Sequence, residues 1–299
     1  MPYINGIKKS LNEAPFIANG RTMVPLRFIS EALGADVNWD ESTYTVNIST
    51  DPYKCYILGF YAVRSYPQFK RRAGDFNEAS AYWFVVSQDG SIKLLLPNGY
   101  EEVRKIADKS GTKLSAMIMG DRAVVSPILK DNVKRANLEN NIIETALKYN
   151  YDGVNIDFEG LESADKDNFI LFLKDLRTMA NKNNLKLSVV VPPITTYTTW
   201  YQGYDLKAIG SISDSVILMA YDYRNSSTDA GPIAPYWWVD DVINFALNNG
   251  IPADKALLGI DFYGYDWAGD TEAQSLTLDE VINKFGGQPY RFDEKIYIQ

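Results

Sequence analysis

Apolar and polar side chains alternate most strictly just after Asp152, where Val154, Ile156 and Phe158 interleave with Asn155, Asp157 and Glu159. A repeat of two is the period of a strand, so the two sets fall on opposite faces. One face is apolar and packs; the other carries a polar row with two neighbouring carboxylates. Same-face neighbours on a strand lie roughly 6.5–7 Å apart at Cα, close enough for their side chains to touch and share protons. Burying such a row is costly, because like charges resist ionising together. The rival reading is a strand whose polar residues merely fill an interior.

From about Asp51 the pattern alternates strands with helices, the sign of a parallel sheet with helical crossovers. Strands are predicted at Tyr56–Tyr61, Ala81–Val86, Leu114–Met119, the alternating stretch itself, Leu185–Val191, Ser215–Ala220 and Ala256–Phe262. Helices are predicted at Tyr100–Ser110, at Leu138–Tyr149, after Ser163 as N-cap with Phe169, Leu173, Leu176 and Ala180 on one face, and at Asp240–Asn249. Seven such repeats in about 250 residues point to a (β/α)8 TIM barrel. No eighth strand is legible, so the barrel is expected to lack it in this chain, over residues 51–299.

Residues 1–50 follow another pattern and are expected to form a small α+β domain. The run Ile17–Pro25 suggests a turn leading to a helix with Pro25 at its first position, and Gly34 is a natural stop. A hairpin follows, Asp36–Trp39 and Thr43–Ile48 about a turn at Asp40–Ser42.

Composition narrows the chemistry. The chain of 299 residues has no histidine, which removes Ser-His-Asp and Cys-His machinery and the commonest metal ligand. Acid–base work falls to Asp, Glu, Tyr or Lys. No cofactor and no metal site is indicated. Cys55 stands alone, so no intrachain disulfide can form. A net charge of −8 and a pI near 4.8 argue against nucleic acid and anionic surfaces as partners. No apolar run approaches the ~18 residues of a membrane span, and no signal peptide is legible; no membrane insertion is expected.

The run Asp152, Asn155, Asp157, Glu159 resembles the D-x-x-D-x-D-x-E signature of glycoside hydrolase family 18, the chitinase-like enzymes, with Asn at one Asp position. Leu218-Met219-Ala220-Tyr221-Asp222-Tyr223 resembles the family's M-x-Y-D. Gly259 to Trp267 resembles its G-x-x-x-Y-G-x-x-W. The wording is most similar to the bacterial spore-germination and cortex-lytic branch. The first fifty residues resemble a copper amine oxidase-like N-terminal domain, without a residue to hold copper, and are read as an adhesion or spacer module.

The resemblance implies a glycosidase cleaving β-1,4 bonds next to N-acetylglucosamine in peptidoglycan, spore cortex or chitin. Glu159 would be the general acid, its pKa raised by burial and by Asp157. The family works by substrate assistance: Asp157 would orient the acetamido N–H, Asn155 would donate a hydrogen bond to Asp157, and Tyr221 would align the acetamido oxygen. Asp222, Met219, Tyr61, Trp83, Tyr263 and Trp267 are the expected substrate-binding residues, and Trp200, Trp237 and Trp238 could wall a cleft. The tail Tyr290–Gln299 resembles an insertion before an eighth strand. An N-acetylglucosamine-containing polysaccharide is the implied partner. Self-association through the N-terminal domain or an open barrel edge, and a place outside the cell or in the wall or spore envelope of a Gram-positive bacterium, are implied as well. The alternatives are a lectin-like glycan-binding protein without turnover and a wall-anchoring structural protein.

Overall fold

The computed structural model describes residues 3–4, 7–11, 13–18, 20–50, 55–95, 99–267, 273–286, 291–293 and 296–298. The chain divides into two compact units, Met1–Cys55 and Tyr56–Gln299.

In the first unit, the hairpin pairs Ala35–Asp40 with Thr45–Thr50; the first strand extends one residue beyond the prediction at each end, and the second lies two residues later than predicted. Asp40 accepts hydrogen bonds from the Ser42 and Thr43 backbone and fixes the turn. The helix is Leu26–Ala32 with Pro25 as its N-cap instead of its first residue. Asn19 of the expected turn lies outside the described residues. Ala35 and Val37 alternate inward, and with Ser30 they are the buried residues of this unit among those described.

The second unit is built on a curled sheet with seven parallel strands, β1 (Leu58–Tyr61), β2 (Glu78–Val86), β3 (Lys113–Asp121), β4 (Gly153–Glu159), β5 (Lys186–Val191), β6 (Ser215–Leu218) and β7 (Ala256–Leu258), and a short strand Ile92–Leu94 that adds antiparallel to β2. The seven pair in sequence order, each parallel to the next. Among the described residues, β1 and β7 form the two outer edges of this sheet. Helices cover its outer face, as α1 (Tyr66–Arg72), α2 (Tyr100–Ser110), α3 (Arg122–Lys130), α4 (Asn132–Lys148), α5 (Lys166–Lys182), α6 (Leu206–Ile212) and α7 (Tyr236–Asn248), while α8 (Leu278–Phe285) packs on a hairpin that follows the sheet.

Sequence alternation decides which side chains go where. On β4, Val154, Ile156 and Phe158 are fully buried against the helices. Phe158 stacks on Phe172 of α5, with centroids 5.3 Å apart. The inner face holds a smaller apolar cluster of Met117, Met119, Val190 and Ile217, with Met219, Leu58, Val85 and Leu257 packed against it.

Several expectations are corrected. α3 was not predicted, because Val124-Val125 and the internal Pro127 read as extended chain. α4 starts six residues before the predicted Leu138, capped by Asp131, which accepts from Val133 and Lys134. Ser163 does not cap α5; it opens a short 3-10 turn, and Asp165 behind it is buried, bonded to Ser126, Arg122 and Lys130. Those partners hold the Asp165 carboxyl well below the usual range. α7 begins at Tyr236 instead of Asp240, and α6 was missed because it has only seven residues. β7 stops at Leu258, short of Phe262. Beyond it, Tyr263–Asp266 pairs antiparallel with Gln274–Thr277, and α8 follows. In the tail, Arg291–Asp293 pairs antiparallel with Ile296–Ile298; Tyr290 and the remaining tail residues lie outside those described.

Candidate active site

The C-terminal ends of β3, β4 and β6 and the segment after β7 bring four acidic residues and a group of phenols together. β4 supplies Asn155, Asp157 and Glu159 on its inward face. Asn155 is fully buried and Asp157 is 6% exposed, while Glu159 at the strand end is open to solvent. Gly160 follows with a φ of +73°, a left-handed turn that a side chain would strain.

Asp157 is the most perturbed carboxyl of the group. Burial, then Glu159, then Asp121 push its pKa up to about 7. Glu159 is also raised, by burial first and then by Asp121 and Asp222. Asp157 and Glu159 repel one another as a pair, and both carboxyls are raised. The expected hydrogen bond from Asn155 to Asp157 is not formed. Both side-chain polar atoms of Asn155, and Oδ1 of Asp157, have no hydrogen-bond partner among the described residues.

β6 leads to Tyr221 and Asp222. The Tyr221 hydroxyl is raised by burial and by Asp157, Asp222 and Glu159, which places it on the same centre. Gly259 lets the chain after β7 pass this close: its N–H donates to the Leu218 carbonyl at 2.8 Å, and a Cβ there would lie 2.9 Å from the Tyr221 ring. Asp222 sits at a φ of +65°, a strained conformation for a non-glycine residue. Its Oδ1 accepts from the Tyr263 hydroxyl at 2.7 Å and the Tyr265 hydroxyl at 3.1 Å. Tyr263 meets Tyr221 edge to face, and Tyr265 leans on Trp267. Trp267 donates its indole N–H to the Thr228 carbonyl, tying the hairpin to the loop after β6. Met219 lies deeper, against the inner apolar cluster.

Two expected sugar-stacking residues are elsewhere. Tyr61 and Trp83 are 5% and 2% exposed, pack edge to face on one another, and belong to the core between sheet and helices. The inward neighbour on β1 is Phe60, on the same face as Leu58. On β2 a bulge sets both Tyr82 and Trp83 opposite Met117, between the Ala81–Ala116 and Phe84–Ile118 pairs. Tyr82 takes the open side, where Asp157, Glu159 and Asp121 raise its hydroxyl after burial does. Trp238 is also buried, against Tyr223, while Trp200 and Trp237 are exposed.

Asp121 was not anticipated. It stands level with Glu159 in the β3–β4 register and is the N-cap of α3 without using its side chain as a cap. Replacing Asp121 with Asn removes a charge that both neighbouring carboxyls feel, so the Asp157 titration seen by carboxyl 13C NMR should move below about 7. An unmoved titration would separate Asp121 from the centre. Among the described residues, no three Asp, Glu, Cys or His side chains converge to hold a metal ion. None of the described helices is long and apolar enough to cross a membrane.

Comparison with known proteins agrees with this architecture. The family described as glycosyl hydrolases family 18 matches residues 36–296, and the copper amine oxidase N-terminal domain matches residues 2–56. The cortical fragment-lytic enzyme of Bacillus subtilis is 33% identical over 163 residues, which are 52% of this chain and 38% of that protein. Among solved structures, a chitinase from Chromobacterium violaceum matches with a TM-score of 0.74 at 23% identity, covering 80% of this chain and 79% of that one. The spore cortex-lytic enzyme SleL of Bacillus megaterium matches with a TM-score of 0.72 at 24% identity, covering 85% and 63%. The chain spans 34% to 44% of the length of the Bacillus proteins it matches in sequence.

Proposed function

The chain belongs to glycosyl hydrolase family 18, and on that premise we propose that it hydrolyses β-1,4 bonds adjoining N-acetylglucosamine, with retention of configuration. The observation that carries the reading is the inward row of β4: a buried aspartate beside a glutamate open to solvent, both with raised pKa values. A carboxyl whose pKa is raised holds its proton more firmly than a free one and can give it up in a transition state, and Glu159 at the mouth is placed to protonate the departing glycosidic oxygen.

The nucleophile in this mechanism is the substrate's own acetamido oxygen, which attacks C1 as the C1–O bond breaks. Asp157 accepts from the acetamido N–H and offsets the positive charge that forms on the bicyclic oxazolinium ion. Tyr221 donates its hydroxyl to the acetamido oxygen and holds it below C1. Water then adds to C1 from the side of the departed sugar and passes its proton to the Glu159 carboxylate. Atoms balance, the acetamide is restored, and Glu159 is again an acid.

Asp222, Met219, Tyr263 and Trp267 line the binding side in this scheme, with Tyr82 and Phe60 in the places first given to Trp83 and Tyr61. Asp121, Asp157, Glu159 and Asp222 make a mouth of like charge. The nearby Arg122 is engaged with Glu162 and Asp165, so it does not neutralise them. Such a mouth disfavours a free carboxylate at the cleaved bond, so the sugar it takes there is the neutral N-acetylglucosamine. The spore cortex or wall is the proposed setting, from the kinship with cortex-lytic enzymes.

The test is a chromogenic oligomer of N-acetylglucosamine against the same oligomer with a free amine on the sugar at the cleaved bond. The acetamide supplies the internal nucleophile, so the amine analogue should lose at least about a hundredfold in kcat. Equal rates would overturn substrate assistance. Binding without any turnover would favour the lectin-like reading.

A further inference from the structure

We propose that the loop Tyr201–Asp205, between β5 and α6, is a brace that positions the Glu159 carboxyl, with the Tyr204 hydroxyl as its fixing point; this rests on reading Glu159 as the acid. The need for a brace comes from the sheet. On its β3 side, β4 is paired up to Glu159, opposite Asp121. On its β5 side the ladder ends at Ile156, opposite Val189. Asp157, Phe158 and Glu159 thus have no strand partner on one side, and it is there that the chain turns at Gly160.

Tyr204 occupies that side. Its hydroxyl donates to the Phe158 carbonyl at 2.6 Å, the peptide unit that leads into Glu159. The Leu161 N–H points to the same hydroxyl oxygen at 3.5 Å, and the Gly203 N–H donates to the Leu161 carbonyl at 3.2 Å. Three hydrogen bonds therefore span the turn that carries Glu159. The contact is close as well as polar: a Cβ on Gly203 would stand 2.5 Å from that of Leu161. Tyr201 at the head of the loop adopts a φ of +62°, an uncommon conformation for an aromatic residue. The Tyr204 ring meets Phe169 edge to face, and Phe169 with Phe172 packs on Phe158, so one aromatic cluster supports both partners.

Packing holds this loop together with the hydrogen bonds: Tyr204 is buried in the main hydrophobic core and Tyr201 packs against it. Tyr201 and Tyr204 also line a cleft of about 620 Å³, shared with Ile194, Leu206 and Phe245. The bonds to Phe158 and Leu161 fix its position against the turn that carries Glu159. Tyr204 touches no reacting atom in this scheme; it is a positioning residue.

Tyr204→Phe keeps the ring and removes the bond to Phe158. Its control is Thr112→Val, which removes a comparable buried hydroxyl donating to the Ala73 carbonyl at 2.6 Å, before the N-terminal end of β3. With the N-acetylglucosamine oligomer, Tyr204→Phe should lower kcat about tenfold with KM within about twofold, and displace the pH profile of kcat. Thr112→Val should lower Tm by a similar amount and leave kcat and the profile unchanged. Gly203→Ala retains the hydroxyl but pushes the loop off Leu161, and should lower kcat in the same way. A second readout is independent of turnover: the 13C titration of the Glu159 carboxyl, which faces Asp121, Asp157 and Asp222 and the phenols of Tyr82, Tyr201 and Tyr221. A displaced Glu159 titration in Tyr204→Phe without turnover by the native chain would retain the brace and end the hydrolase reading. Native kcat and a coincident Glu159 titration in Tyr204→Phe would overturn the brace.

Discussion

Glu159→Gln should abolish hydrolysis of an N-acetylglucosamine oligomer, with kcat down by about 10²–10⁴, the range that a positioned general acid contributes. The amide is nearly the same size and cannot release a proton to the leaving oxygen. Because Gln removes a charge that burial, Asp121 and Asp222 disfavour, the substitution should leave the fold at least as stable as native at pH 8. The leaving group sharpens the test. A nitrophenolate departs with little help, whereas a sugar alkoxide needs the proton, so the loss should be smaller for the aryl glycoside than for the sugar–sugar bond. A uniform loss for both would point to damaged binding geometry instead. Undiminished turnover would remove Glu159 from the acid role altogether.

How far the sequence carried depended on whether the period held. β4 was legible to the residue because its alternation is unbroken, and its inward row stands where the period of two puts it. α2 came out with both ends as predicted, since Tyr100–Ser110 is followed at once by a left-handed Gly111. Phase errors cost the aromatics. On β1 the partner of Leu58 on the inner face is Phe60, and Tyr61 is one step off. On β2 the bulge opposite Met117 moves the phase by one, which sends Trp83 to the core and Tyr82 to the mouth; no local pattern announces a bulge.

Other parts of the site come from tertiary placement and leave no mark on a one-dimensional pattern. Asp121 lies at a strand–helix junction, where an acidic residue reads as an ordinary cap. Tyr204 sits more than forty residues from the carbonyl it holds. The hairpin of Tyr263–Asp266 with Gln274–Thr277 was not predicted, because its two strands are only four residues each. Asp165 is a further case. Nothing in the predicted cap at Ser163 set this acid apart, yet its buried bonds to Ser126, Arg122 and Lys130 make it a clamp between α3 and α5.

Asp157→Asn should lower activity and raise stability at once. Loss of the negative charge beneath the oxazolinium ion should cost about 10²–10³ in kcat, the scale of a preorganised electrostatic contact. Stability moves the other way because the native carboxyl is buried, close to Glu159 and Asp121, with a pKa raised from 3.8 to about 7. The folded chain then holds a proton that the unfolded chain has released, across the window from about pH 4 to about pH 7. Unfolding free energy falls as pH rises wherever the folded state binds the extra proton. The penalty is absent below about pH 4 and complete above about pH 7, where it reaches on the order of 4 kcal/mol at 1.36 kcal/mol per unit. Asn carries no charge and feels none of it. Denaturant melts of both proteins at pH 4.5 and pH 8 should therefore give similar midpoints at the lower pH and a more stable Asp157→Asn at the higher. A variant less stable than native at pH 8 would mean that Asp157 is held as a carboxylate by favourable contacts, and the buried, repelled acid at the centre of this site would not exist.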